Sequence, residues 1–239
     1  GSHGAEESDA ALPFTTTSWY FLEAIDVQAP QGTSTVVCFG DSITDGTAST
    51  INANRRWPDV LAERLAAAGS PRPISNQAIA GNRILSWQSP IFGDPALARF
   101  DRDVLSVPNA RWLVILEGVN DIGMGAAAPP SAAQLIAGYR QMIERAKARG
   151  IKTYIATILP YEGARYHQEV GEAVRSQVNV WIRTNTEAAG FIDKAVPDVD
   201  IGNAGFAGTV ALERVEEQHI RRSLRAADQV DDLGELHFV

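Results

Sequence analysis

From position 35 onward, short apolar segments alternate with stretches whose apolar residues recur every three or four positions. No other feature of the sequence restricts the fold as much. Val36-Val37-Cys38-Phe39 is the first apolar run, and Trp112-Leu113-Val114-Ile115-Leu116 is the clearest. A strand with one face in water alternates apolar and polar residues, whereas a run apolar at every position fits a strand covered on both faces. The expectation is an α/β fold in which a parallel sheet is covered on both sides by helices.

The same reading places strands over 35–40, 73–80, 112–117, 152–159 and 191–193. Between them, Trp57, Val60, Leu61 and Leu65 have helical spacing, with Gly69 where a C′ residue is expected. A further helix is expected around 95–105. Ser131 can cap one that carries Leu135, Ile136, Tyr139, Met142, Ile143 and Ala146 on one face and stops at Gly150. Val170, Val174, Val178, Trp181 and Ile182 mark the next. The tail from 203 reads as one long helix followed by an acidic, irregular end. The segment 1–32, with an apolar stretch at 19–25 that fits a strand or a short amphipathic arm, reads as an extension packed onto a domain spanning 33–239, whose C-terminal part is atypical from about 197.

A length of 239 residues suits one such domain, and 45% hydrophobic residues supply a sizeable core. A formal net charge of -8 without long acidic blocks argues against a nucleic-acid partner. Cys38 is the sole cysteine, so no intrachain disulfide forms, and its apolar setting predicts a buried, inert thiol. No apolar stretch approaches the ~18 residues of a membrane span. The opening Gly1-Ser2-His3 reads as a cloning remnant with no signal peptide after it. Compartment and oligomeric state are left open.

Three segments at predicted strand ends carry chemistry. Gly40-Asp41-Ser42-Ile43-Thr44-Asp45-Gly46 follows the first strand, at the edge where open parallel sheets place ligand-binding groups. Asn76-Gln77-Ala78-Ile79-Ala80-Gly81 ends the second strand, and Glu117-Gly118-Val119-Asn120-Asp121 ends the third. Each alone is also what ordinary turn chemistry produces. A phosphate cradle is disfavoured, because the Walker lysine and the dinucleotide glycine spacing are both missing. Ser42, Gly81 and Asn120 are 39 residues apart in each step (42 to 81, 81 to 120), about one strand-helix unit. All three then meet at one sheet edge. A glycine N–H approaches a ligand closely and an asparagine amide donates without adding charge, so with the Ser42 N–H these groups can form an oxyanion hole.

With these residues in place the chain resembles the SGNH hydrolases, also called GDSL esterases and lipases. The first block of that family is similar to Gly40-Asp41-Ser42, with Ile43 for the usual leucine; the second-block glycine corresponds to Gly81, and Gly-x-Asn-Asp to Gly118-Val119-Asn120-Asp121. The likeness runs from about 35 to 181. It implies a three-layer α/β/α sandwich, flavodoxin-like, with about five parallel strands, and hydrolysis of esters or acyl transfer without a cofactor. By resemblance Ser42 is the nucleophile. The N–H groups of Ser42 and Gly81 and the side chain of Asn120 form the oxyanion hole.

The last block of the family, Asp-x-x-His before a helix starting Ala-Gly-Phe or Ala-Gly-Tyr, is displaced. Ala204-Gly205-Phe206 fits the helix start, yet Asp200 stands where histidine is expected. The histidines are His3, in the cloning remnant; His167, on a loop that more often forms a substrate rim; His219, in a charged helical surface; and His237, in Gly234-Glu235-Leu236-His237, a context similar to that of the family. His237 is the candidate base. Its Asp-x-x-His partner position is Gly234, and among Asp231, Asp232 and Glu235 the candidate orienting acid is Asp232. A frayed chain end is the competing reading of His237.

The expected reaction is two-step acyl transfer through an acyl-enzyme on Ser42. The substrate is expected to be a small ester with a short acyl group, because the Gly- and Ala-rich loop 121–130, with Ile122 and Met124, is read as bordering the acyl pocket. Two rivals stand beside this: a catalytically silent domain of the same type that binds a carbohydrate or acyl ligand, and a flavodoxin-like nucleotide binder, which gives Gly81 and Asn120 no role.

Overall fold

The computed structural model describes residues 27–124 and 129–193. The segment at 19–25 and the helix expected from 203 lie outside the described residues. All elements below belong to the compact unit Thr33–Val239. Its five strands are β1 (Thr35–Gly40), β2 (Ile74–Ala78), β3 (Ala110–Leu116), β4 (Lys152–Ala156) and β5 (Gly190–Ile192). They form one parallel sheet in the order β2-β1-β3-β4-β5.

Successive side chains of each strand go to opposite faces, and both faces are apolar. Val37, Phe39, Leu113, Ile115 and Ile155 join one core, while Val36, Cys38, Trp112, Val114 and Tyr154 join another. The first core is closed by α3 (Ala96–Phe100), α5 (Ala132–Ala148) and α6 (Glu169–Thr184). The second receives Trp57 and Leu61 of α2 (Trp57–Ala67). The result is the three-layer α/β/α arrangement that continuous apolar strands require. Cys38 is fully buried, and burial pushes its thiol far up, so the thiolate is not formed.

Helix boundaries follow local chemistry. Ser131 Oγ accepts the Gln134 amide at 3.3 Å while Gln134 Oε1 accepts the Ser131 amide at 2.9 Å, a reciprocal cap that starts α5. Gly150, at φ +71°, follows its end, and Gly69, at φ +73°, follows that of α2. The helix expected over 95–105 is not uniform: α3 runs into a π-helical turn, Asp101–Leu105, whose end is closed by the Ser106 amide donating to the Asp101 carbonyl at 3.0 Å. No helix among the described residues is long and apolar enough to cross a membrane.

Candidate active site

Because β1 lies between β2 and β3, the segments leaving these strands at their carboxyl ends start side by side. Gly40, the last residue of β1, pairs with Ala78 of β2 and Leu116 of β3. A Cβ at Gly40 would overlap the Leu116 carbonyl oxygen and Thr44 Oγ1, so the turn closes only around glycine.

Ser42, half-buried, opens the short helix α1 (Ser42–Asp45). Asp41 caps it, its carboxylate accepting the Ile43 amide at 2.9 Å. Thr44 ties the turn to its neighbours: its Oγ1 accepts the Trp57 indole N–H at 3.2 Å and its carbonyl accepts the Asn76 amide at 2.9 Å.

After β2, Gly81 is buried at φ +78°, and a Cβ there would overlap the Phe92 ring. Asn82 is also buried and donates from Nδ2 to the carbonyls of Phe92 at 2.7 Å and Asp94 at 2.8 Å. After β3, Gly118 at φ +113° leads into α4 (Val119–Gly123). Here Asn120 Nδ2 donates to the Asn82 carbonyl at 2.9 Å, and Asp121 accepts the amides of Ile84 at 2.8 Å and Leu85 at 3.1 Å. Ser42, Gly81 and Asn120 thus stand on the three segments that leave adjacent strands, and side chains of the third bind the backbone of the second.

The loops enclose buried charges. Burial, with the charge of Asp121, raises Asp41 from 3.8 to about 7, and burial raises Asp121 to about 6 despite its two amide donors. Glu117 is pushed well above the ordinary carboxylate range by burial and by Asp41. Arg99 is the counter-charge of Asp41 and Glu117, its guanidinium lying 3.9 Å from Glu117 and 4.0 Å from the centre of the Phe39 ring, whereas the charge opposing Asp121 is Arg83.

His237 and Asp232 lie outside the described residues, as do His3 and His219. His167 packs its ring 5.1 Å from that of Tyr161, and among the described residues it makes no hydrogen bond to Ser42. The expectation of a loop from 121 is corrected: Asp121, Ile122 and Gly123 are helical, since α4 continues to Gly123. Ile122 is drawn into the core, leaving Met124 as the half-buried side chain of the pair, and 125–128 lie outside the described residues. Two residues that the sequence reading passed over, Asn82 and Arg99, bond to the segments around these strand ends. For Arg99 a signal existed: Ala96, Arg99, Phe100 and Val104 share the core-facing spacing of the expected helix, and a charge in such a row needs buried partners.

The fold has solved counterparts. A putative lipolytic protein of the G-D-S-L family from Desulfitobacterium hafniense is 19% identical with a TM-score of 0.57, the match covering 79% of this chain and 98% of that one. The aryl esterase of M. smegmatis is 15% identical with a TM-score of 0.55, covering 77% and 99%. Est24, a carbohydrate acetylesterase from Sinorhizobium meliloti, is 14% identical with a TM-score of 0.54, covering 67% and 83%. No curated protein matches the chain. The family model for the GDSL-like lipases and acylhydrolases matches residues 38–235, and the chain belongs to that family of carboxylic ester hydrolases.

Proposed function

We propose that the chain hydrolyses short-acyl esters, chiefly acetyl esters of small molecules, through an acyl-enzyme on Ser42. In this reading His237, oriented by Asp232, takes the Ser42 proton, the hydroxyl attacks the ester carbonyl, and water releases the acyl group. The N–H groups of Ser42 and Gly81 and the Asn120 side chain receive the developing negative charge. One observation carries it: the strand ends bearing these three residues are adjacent, and the Asn120 amide is held on the Asn82 carbonyl, next to Gly81. Short acyl groups are favoured because Phe92 fills the space against Gly81 and Tyr166 that against Gly123. The acetylesterase among the structural neighbours agrees with this size.

A silent, ligand-binding domain is the second reading, favoured by Asp200 standing at the place of the family's histidine. An active-site-directed fluorophosphonate separates the two. Covalent labelling of Ser42 together with hydrolysis of p-nitrophenyl acetate supports the esterase; carbohydrate or acyl binding without labelling supports the silent domain. Faster hydrolysis of long-chain esters than of acetates would exclude the short-acyl assignment.

A further inference from the structure

We propose that Arg99 is a positioning residue that sets the distance between the nucleophile turn and the oxyanion donors. The inference rests on the roles proposed above for Ser42, Gly81 and Asn120. The Arg99 side chain is fully buried, and its donors go to different segments. Nη2 donates to the Gly40 carbonyl at 3.1 Å, two residues before Ser42; Nη1 donates to the Gln77 carbonyl at 2.7 Å near the end of β2; Nε donates to Asn82 Oδ1 at 3.0 Å, next to Gly81. Nη1 also meets the Asp103 carboxylate at 3.1 Å on its own helical segment. Because the Asn82 carbonyl accepts the Asn120 amide, a chain of bonds runs from Arg99 through Asn82 to Asn120. One rigid planar group therefore holds the first loop and the second, and through the second the third.

Packing alone does not account for such a residue. Taking a guanidinium out of water is costly, and apolar side chains of similar volume often stabilise a core as well or better than a buried charge. A planar fork with fixed donor directions offers what an apolar chain cannot, a fixed geometry among the Gly40 carbonyl, the Gln77 carbonyl and the Asn82 side chain. Arg99 touches no reacting atom, so its effect on rate is expected to pass through Asn120 and the Ser42 turn. A displacement of about 1 Å in such a constellation can lower a rate by roughly 10²-fold.

The test is a double-variant cycle on the full chain, with p-nitrophenyl acetate as substrate and rates normalised to fluorophosphonate-reactive sites. Arg99→Lys keeps the charge and loses the fork; it is expected to lower kcat by about 10²-fold with KM changed little. Asn120→Ala, expected to cost ~10²- to 10³-fold in the parent, should cost much less in the Arg99→Lys background, because its amide is already displaced. If Arg99→Lys lowers only the melting temperature, or if the Asn120→Ala penalty is the same in both backgrounds, the proposal is wrong. Asn82→Ala removes the Nε partner while leaving the backbone carbonyl, and it must reproduce the kcat loss where Arg99→Lys does not fold; an unchanged kcat in Asn82→Ala overturns the proposal. Loss of the underlying esterase reading has a separate signature, an unlabelled parent or a fully active Ser42→Ala.

Discussion

The Asp121 carboxylate accepts the amide of Ile84 at 2.8 Å, joining positions 37 residues apart in the chain. With the Leu85 amide at 3.1 Å it closes α4 onto the loop that carries Gly81 and Asn82. Asp121→Ala leaves two amide groups without this acceptor. Hydrogen bonds to charged groups contribute about 1.5–3 kcal/mol each, so urea unfolding should show a loss of at least about that size, with a parallel fall in esterase activity. A loss within the error of the parent would mean that the carboxylate does not hold the loop.

Gly81→Ala should fail for two reasons, backbone and space. Left-handed backbone costs an L-residue about 1–2 kcal/mol, and the new methyl would also overlap Phe92. The variant should lose more than the backbone term alone. The double variant Gly81→Ala/Phe92→Ala should be more stable than the sum of the two single losses predicts, since shortening Phe92 removes the overlap; strict additivity would show that the ring is not the obstacle.

Removing the proposed nucleophile and one oxyanion donor should have unequal effects. Ser42→Ala should abolish fluorophosphonate labelling and turnover of p-nitrophenyl acetate. Asn120→Ala should remain labelled and lose ~10²- to 10³-fold in kcat. Equal activity in the Ser42→Ala variant and the parent would exclude the acyl-enzyme.

If His237 is the base, kcat/KM should rise with pH as an imidazole loses its proton near its ordinary pKa of about 6.5. His237→Ala should then lose on the order of 10²- to 10⁴-fold, whereas His167→Ala should keep parental kcat. The opposite pattern would move the base to the β4–α6 loop.

The buried carboxyl groups give stability a defined pH dependence. Asp41 rises from 3.8 to about 7 on folding, chiefly through burial, so the folded chain binds this proton more tightly than the unfolded one. Its protonated form therefore contributes fully below about pH 4, and the contribution is lost as pH rises toward 7. Asn cannot ionise, so the stability of Asp41→Asn relative to the parent should improve steadily from pH 4 to pH 7 in urea midpoints. A pH-independent difference would show that Asp41 is not raised.

The alternation of apolar runs with helical spacing was enough to read out the parallel sheet, its layers and the courses of α2, α5 and α6. Those features follow from local propensity and from which faces must leave water, both written in consecutive residues. The strand ends carrying Ser42, Gly81 and Asn120 were legible too, because glycine and turn residues at the close of an apolar run mark the edge of such a sheet. What the sequence could not supply was the set of partners at that edge. Arg99 binds Gly40, Gln77 and Asn82 from positions 59, 22 and 17 residues away, and the raised Asp41, Asp121 and Glu117 carboxyls owe their state to burial shared among loops. Hydrogen bonds and desolvation depend on distances across the folded chain, and sequence order alone does not contain those distances.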